Sequence, residues 1–287
     1  MEDRVRIAPL RFRGDRLSVC ARSDVGRVRQ ENQDFVGFFR MDRRHLLVVA
    51  DGMGGHHGGW EASRIAVERI GKHFEESRED PQVVLEEAVR LGHEAIVAEA
   101  ALRPVLAGMG TTVVLAMVDG NTVWIGHVGD SRAYLVRDGQ ALRLTRDHTQ
   151  VNRMLDAGLL TEEEAEQHKM GHVLDRSLGS DEPPRMDVQE PLTVRSGDRL
   201  VLCSDGFTNL VPDDELAEIF QARDLEQAIQ RGIGVALLRG GSDNTTIGAV
   251  QVGESVASSS AGDSRLGAVV AAVVGLLVGL VLGLMLS

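Results

Sequence analysis

The chain has 287 residues, 43% of them hydrophobic, and a net charge of −12 from 31 Lys and Arg against 43 Asp and Glu. The apolar content supports a packed core and excludes wholesale disorder, while the acidic balance excludes a general nucleic-acid binder, which would present a basic face. Two cysteines, Cys20 and Cys203, lie far apart in apolar runs with no Cys/His cluster near either. Zinc and disulfide frameworks are therefore excluded, and both thiols read as buried in a reducing compartment.

Residues 1–16 are Arg-rich, lack an apolar segment and read as a tail, not a signal peptide. Leu17 to Ala21 and Phe35 to Phe39 read as short strands around a charged loop, and His45 to Ala50 as an apolar strand entering a Gly cluster. Trp60 to Arg78 carries the helical spacing Ala66, Ile70, Phe74. A second helix opens at Asp80-Pro81, a cap followed by Pro in the first turn, with Val84, Ala88, Leu91 and Ala95 as its buried stripe. The period then shortens. Thr111 to Val118 and Thr122 to Val128 flank the turn Asp119-Gly120-Asn121, and Ala133 to Arg137 and Ala141 to Leu144 flank Asp138-Gly139, giving two hairpins. Thr149 to Gln167 is loosely helical, Arg199 to Cys203 a buried strand, Asp214 to Phe220 and Leu225 to Arg239 helices, and Thr245 to Val252 a closing strand. The hairpins imply antiparallel sheets, and 17–252 shows no internal linker, so it reads as one domain.

Residues 253–265 are Ser/Ala/Gly-rich and read as a tether. Residues 266–286 are drawn only from Leu, Val, Ala, Gly and Met. As a helix this segment spans about 32 Å, the thickness of a bilayer's hydrocarbon, and it has no polar face. The expectation is a single membrane span, with the large domain cytoplasmic at the inner membrane and Arg265 at the cytoplasmic flank. Gly267, Ala271, Gly275, Gly279 and Gly283 recur every fourth residue, a small-residue stripe suited to self-association of such helices.

Four aspartates follow apolar runs or sit in Gly-rich turns, in Val48-Val49-Ala50-Asp51-Gly52-Met53-Gly54-Gly55, Val128-Gly129-Asp130-Ser131, Leu202-Cys203-Ser204-Asp205-Gly206 and Gly241-Ser242-Asp243-Asn244. A single Asp-Gly is ordinarily a turn. Four carboxylates at strand ends of one domain would repel one another unless a cation lay between them, and hard oxygen donors favour Mg2+ or Mn2+ over zinc. Between the first two strands, Ser23 to Asp34 carries Arg29, whose planar fork suits phosphate oxygens.

Taken in order, Arg29 to Asp34, Asp51-Gly52-Met53-Gly54-Gly55-His56, Gly110-Thr111-Thr112, Gly126-His127-Val128-Gly129-Asp130-Ser131-Arg132, Ser204-Asp205-Gly206 and Asp243-Asn244 resemble the metal-dependent serine/threonine phosphatase family (PPM, the protein phosphatase 2C type) in its bacterial form. The resemblance implies an α+β fold, a four-layer α-β-β-α sandwich of two antiparallel sheets flanked by helices. It implies a site for Mn2+ or Mg2+, two ions in the core and a third held more weakly. Asp51 would bridge the pair, the Gly52 carbonyl would bind one of them, Asp205 and Asp243 would complete the set, and Asp130 with Asp205 would hold the third. Arg29 would grip the substrate phosphate, with Asp34 and Asn244 orienting waters and ligands behind it. The implied reaction is hydrolysis of phosphoserine or phosphothreonine in proteins by a metal-activated bridging water, without a covalent intermediate, in a serine/threonine kinase pathway.

The sequence departs from the family at three points. Gln33 replaces a frequent Glu. Met53 stands where animal members carry a His proposed as general acid, leaving His56 as a candidate proton donor. The flap, Leu144 to Gly179, opens with Thr145-Arg146-Asp147-His148 as expected, but His168-Lys169-Met170 lacks the usual Pro. Two other readings are a membrane-tethered adaptor of the same fold that binds phosphoproteins without hydrolysis, and a small-phosphomonoester hydrolase. Loss of a metal aspartate would mark the first and a Gly loop leading to Lys-Ser/Thr the second, and the sequence shows neither.

Overall fold

The structure, a computed structural model, describes residues 10–253 apart from Asp15, His56 and Gln167. The expected span at 266–286, the tether beyond residue 253, residues 1–9 and the candidate proton donor His56 all lie outside the described residues. Among the described residues, no helix is long and apolar enough to cross a membrane.

The chain opens with strands β1 (Leu10–Arg13), β2 (Leu17–Asp24), β3 (Asp34–Met41) and β4 (Arg44–Met53), then helices α1 (Gly58–Glu76) and α2 (Pro81–Leu102). Strands β5 (Gly110–Thr111), β6 (Val113–Asp119), β7 (Thr122–Val128), β8 (Arg132–Arg137) and β9 (Gln140–Arg143) follow. The flap holds α3 (Gln150–Asp156) and α4 (Glu162–Glu166), and leads to β10 (Asp187–Val188) and β11 (Leu192–Thr193). The chain then runs through β12 (Arg199–Cys203), α5 (Asp205–Thr208), α6 (Asp213–Ile219), α7 (Leu225–Leu238) and β13 (Thr245–Val252). The caps explain several boundaries. Asp80 accepts from the Gln82 amide with Pro81 in the first turn of α2, and Asp224 accepts from Gln227 at the start of α7. In the β8–β9 turn, Asp138 and Gly139 both take positive φ, the left-handed pair that a tight hairpin requires.

The first sheet runs β1-β2-β13-β12-β8-β9. The second runs β10-β7-β6-β4-β3, with β11 on β7 and β5 on the end of β4, and all pairings are antiparallel. Strand β4 shows why its sequence is apolar throughout. Leu46, Val48 and Ala50 pack under α1 and α2, whereas the alternate Leu47 and Val49 meet Leu200, Leu202 and Val250 of the facing sheet. The outer face of the first sheet, including Val201 and Cys203, is covered by α5, α6 and α7 through Phe207, Leu216, Ile229 and Ile233. Three apolar layers thus separate four layers of secondary structure, and both cysteines are buried free thiols.

Two readings of the sequence are corrected. Residues 10–13 belong to the domain: Leu10 and Phe12 pack towards the inter-sheet core, while Arg11 and Arg13 alternate outward on an edge strand. On α2 the buried stripe is centred one residue further round, on Val84, Leu85, Ala88, Val89, Gly92, His93 and Ile96, with Leu91 and Ala95 half-buried.

Candidate active site

Both sheets end at one cleft of about 830 Å3, whose walls include Arg29, Asp51, Gly52, Asp130, Asp205, Asp243 and Asn244. The second sheet supplies Asp51 near the end of β4 and Asp130 just after β7. The first supplies Asp205 after β12 and Asp243 before β13. Asp34, at the start of β3, lies in register with Asp51.

Asp34 is fully buried beneath the cleft, and Asp51, Asp130, Asp205 and Asp243 are half-buried on its walls. Asp51 and Asp205 lie within hydrogen-bonding reach of one another, and burial, followed by repulsion from Asp34 at Asp51 and from Asp243 at Asp205, raises the proton affinity of both. Burial, and then Asp205, pushes Asp130 up to about 7. Asp34 also rises to about 7, chiefly by burial, although the neighbouring Thr246 and Ser204 side chains oppose the shift. Its Oδ2 accepts from the Ser204 hydroxyl at 2.8 Å, but its Oδ1 is buried with no partner among the described residues. Such a cluster is costly without positive charge inside it. An oxygen-only donor set of this density fits Mn2+ or Mg2+.

The backbone around Asp51 is fixed from two sides. Its N–H donates to the Thr112 hydroxyl at 3.1 Å, and its carbonyl accepts from the Thr111 hydroxyl at 2.8 Å. Thr112 in turn shares a 2.7 Å hydrogen bond with Ser131, which ties Asp51 to the turn that carries Asp130. Gly52 is required by close approach, since a Cβ there would stand 2.0 Å from the Gly59 carbonyl oxygen.

Arg29 reaches the cleft from the loop between β2 and β3. Its Nη2 donates to Asp243 Oδ2 at 2.7 Å, and the side chain is 56% exposed. Asn244 clamps that loop. Its Nδ2 donates to the Val25 and Glu31 carbonyls at 2.9 and 2.8 Å, and its Oδ1 accepts from the Gln33 N–H at 2.8 Å. Both amide donors are thereby spent on backbone, so Asn244 holds the Arg29 loop in shape rather than orienting water through its nitrogen. Gln33 also gives its carbonyl to the Gly52 N–H and the Ser63 hydroxyl.

The flap forms another part of the cleft wall with His172, Val173, Asp175 and Arg176. Its start is pinned by Asp147, which pairs with Arg132 at 2.9 Å and with Arg143. His127, His148 and Asp187 cluster behind the flap. The two rings stack at 4.4 Å, His127 Nε2 meets the Arg146 carbonyl at 2.8 Å, and His148 Nδ1 accepts from the Gly129 N–H at 3.2 Å. That last bond leaves the His148 proton on Nε2, facing Asp187 Oδ2 at 3.2 Å. Burial lowers both imidazoles, His127 to about 4, so the pair is neutral. Stacked rings cannot both aim a ring-plane lone pair at one ion, so the cluster is a hydrogen-bonded latch between flap and sheet. Nothing in the apolar periodicity signals it, because its members pair across strands.

The signature of Protein phosphatase 2C matches residues 26–233. The chain belongs to the protein phosphatase 2C family. The serine/threonine protein phosphatase PstP of Mycobacterium tuberculosis is 38% identical over 234 residues, covering 80% of this chain and 44% of PstP. This chain therefore spans less than half the length of that relative. The serine/threonine phosphatase Stp of Listeria innocua is 36% identical over 233 residues, covering 79% of this chain and 92% of Stp. The crystal structure of the PstP catalytic domain in complex with two manganese ions superposes with a TM-score of 0.72 at 37% identity, covering 83% of this chain and 99% of that one. Two antiparallel sheets flanked by helices are thus the architecture of a 2C-type phosphatase.

Proposed function

We propose that this chain hydrolyses phosphoserine and phosphothreonine in proteins, with Mn2+ or Mg2+ as cofactor. The observation that carries the reading is the convergence of Asp51, Asp130, Asp205 and Asp243, half-buried on the walls of one cleft, beside the one arginine of the β2–β3 loop that reaches them. Asp51, Asp205, Asp243 and the Gly52 carbonyl would hold a pair of ions, and Asp130 with Asp205 a third. Bound there, divalent cations neutralise phosphate charge and supply a nucleophilic water at neutral pH. Arg29 keeps N–H groups beyond the one given to Asp243 and offers them to phosphoryl oxygens. Asp34, held at Oδ2 by Ser204, keeps Oδ1 as a buried acceptor for an ordered water beneath the cleft. Met53 carries no proton, so the leaving alkoxide takes one from His56 or from solvent.

The proposed setting is a serine/threonine kinase pathway, with the catalytic domain cytoplasmic and tethered by the apolar segment 266–286, whose small-residue stripe supports self-association. The tether rests on the sequence of that segment alone. The adaptor reading is disfavoured because every metal aspartate is present and the aspartates converge. The full chain is expected to release phosphate from a phosphothreonine peptide in a Mn2+-dependent manner. Asp51→Asn or Asp205→Asn should lower the rate by orders of magnitude. Activity that survives EDTA and either substitution would refute the mechanism.

A further inference from the structure

Arg176 lies near the end of the flap, and the latch behind it holds this side chain at the edge of the cleft. Asp187 is fixed by the pairing of β10 with β7, where it stands opposite His127. Its Oδ2 faces His148 Nε2, and its Oδ1 accepts from Arg176 Nη1 at 2.8 Å. Burial alone would raise the Asp187 carboxyl, but the hydrogen bond from His148 and the Arg176 guanidinium outweigh it and keep the group ionised. His148 is itself bound to Gly129, the residue before Asp130. A continuous set of contacts therefore runs from the metal aspartates to Arg176.

Arg176 spends only part of its donor capacity on this arrangement. Nη1 serves Asp187 and, at 3.4 Å, the Arg185 carbonyl, and it stands 3.3 Å from His148 Nε2. Nε and Nη2 have no partner among the described residues, the side chain is 35% exposed, and it lines the cleft that holds Arg29. The Nε–Nη2 edge is the fork that takes a carboxylate or phosphoryl group through two parallel hydrogen bonds. The acidic side chains nearby do not occupy it, since Glu31 pairs with His57 at 3.0 Å and Asp175 with Arg153 at 2.9 Å.

We infer that Arg176 is a specificity-determining residue that receives a second anionic side chain of the substrate, next to the phosphorylated residue. This rests on the phosphatase reading. The shared chemistry is a carboxylate or a second phosphoryl group, and Asp187 acts as the positioning residue that keeps the fork facing the cleft.

The test measures binding to the full chain with saturating Mn2+, by fluorescence anisotropy, so that turnover is not needed. The probes are one peptide scaffold with a phosphonate analogue of phosphothreonine, flanked by Gln, by Glu, or by a second phosphonate. One charge-assisted, half-exposed contact predicts roughly five-fold tighter binding of the Glu peptide over the Gln peptide. A larger gain for the second phosphonate assigns the contact to a doubly phosphorylated segment, and an equal or smaller gain assigns it to an acidic one. Arg176→Ala should abolish the discrimination, Arg176→Lys should retain part of it, and Asp187→Asn should weaken it while leaving affinity for the Gln peptide in place. Equal affinities on the unaltered chain, which need no variant to fold, would overturn the inference. So would a preference that persists in Arg176→Ala. Failure of every phosphonate peptide to bind would instead remove the phosphatase reading, and this inference with it.

Discussion

The buried carboxyl cluster makes stability depend on pH in a direction opposite to that of an ordinary salt-bridged acid. Consider Asp34→Asn in protein stripped of divalent cations. Asp34 titrates near 3.8 when unfolded and near 7 when folded. Below pH 3.8 it is protonated in both states and the ionisation makes no difference. As pH rises towards 7, the unfolded chain ionises while the folded one does not, so stability falls. Above about 7 the loss levels off at about 4 kcal/mol, from roughly 1.4 kcal/mol per pH unit of displacement. Asparagine keeps an oxygen for the Ser204 hydroxyl and has no charge to remove from water. The variant should therefore gain on the parent as pH rises, with its relative stability about 2–3 kcal/mol greater at pH 8 than at pH 5. Urea unfolding in EDTA at the two pH values measures this, and the comparison cancels any fixed cost of the substitution. Saturating Mn2+ should shrink the pH 8 advantage, because the ions supply the missing positive charge. A variant whose relative stability is the same at both pH values would refute the claim that Asp34 is desolvated and uncompensated.

Thr112→Val leaves the Asp51 N–H and the Ser131 hydroxyl buried without partners, and should cost about 2–3 kcal/mol in urea unfolding, while Thr112→Ser should recover most of it. Asn244→Ala releases the Val25 and Glu31 carbonyls and the Gln33 N–H, loosening the loop beneath Arg29, so KM for a phosphothreonine peptide should rise about ten-fold with a smaller change in kcat. An unchanged KM would show that the loop keeps its shape without that clamp. Deleting residues 266–286 should move the protein from the membrane fraction to the soluble fraction on ultracentrifugation of cell lysates.

Strands covered on both faces were the most legible part of the fold. Arg199–Cys203 and Thr245–Val252 have the bounds expected, because burial on both faces makes their central residues apolar without alternation. Strand β1 was not legible. Its outward Arg11 and Arg13 sit among further arginines, and four residues are too few for alternation to stand out. On α2, Val84 and Ala88 mark only one edge of the buried surface, and His93, which accepts from the Gly179 N–H at 3.2 Å, carries no apolar signal. At the site, the four aspartates that line the cleft were legible by position, each at the end of an apolar run or in a Gly-rich turn. The hydroxyls that fix Asp51 and the latch of His127, His148 and Asp187 were not, because their meaning lies in pairing across the sheets.

The cleft takes its acidic side chains from both halves of the sandwich, Asp51 and Asp130 from one sheet and Asp205 and Asp243 from the other. An ion shared among them would rivet the two sheets together. Cation affinity and cohesion of the layers would then be linked quantities, each measurable through the other. Trimming Leu47 or Leu202, deep in the shared interior, would loosen ion capture without touching a single ligand.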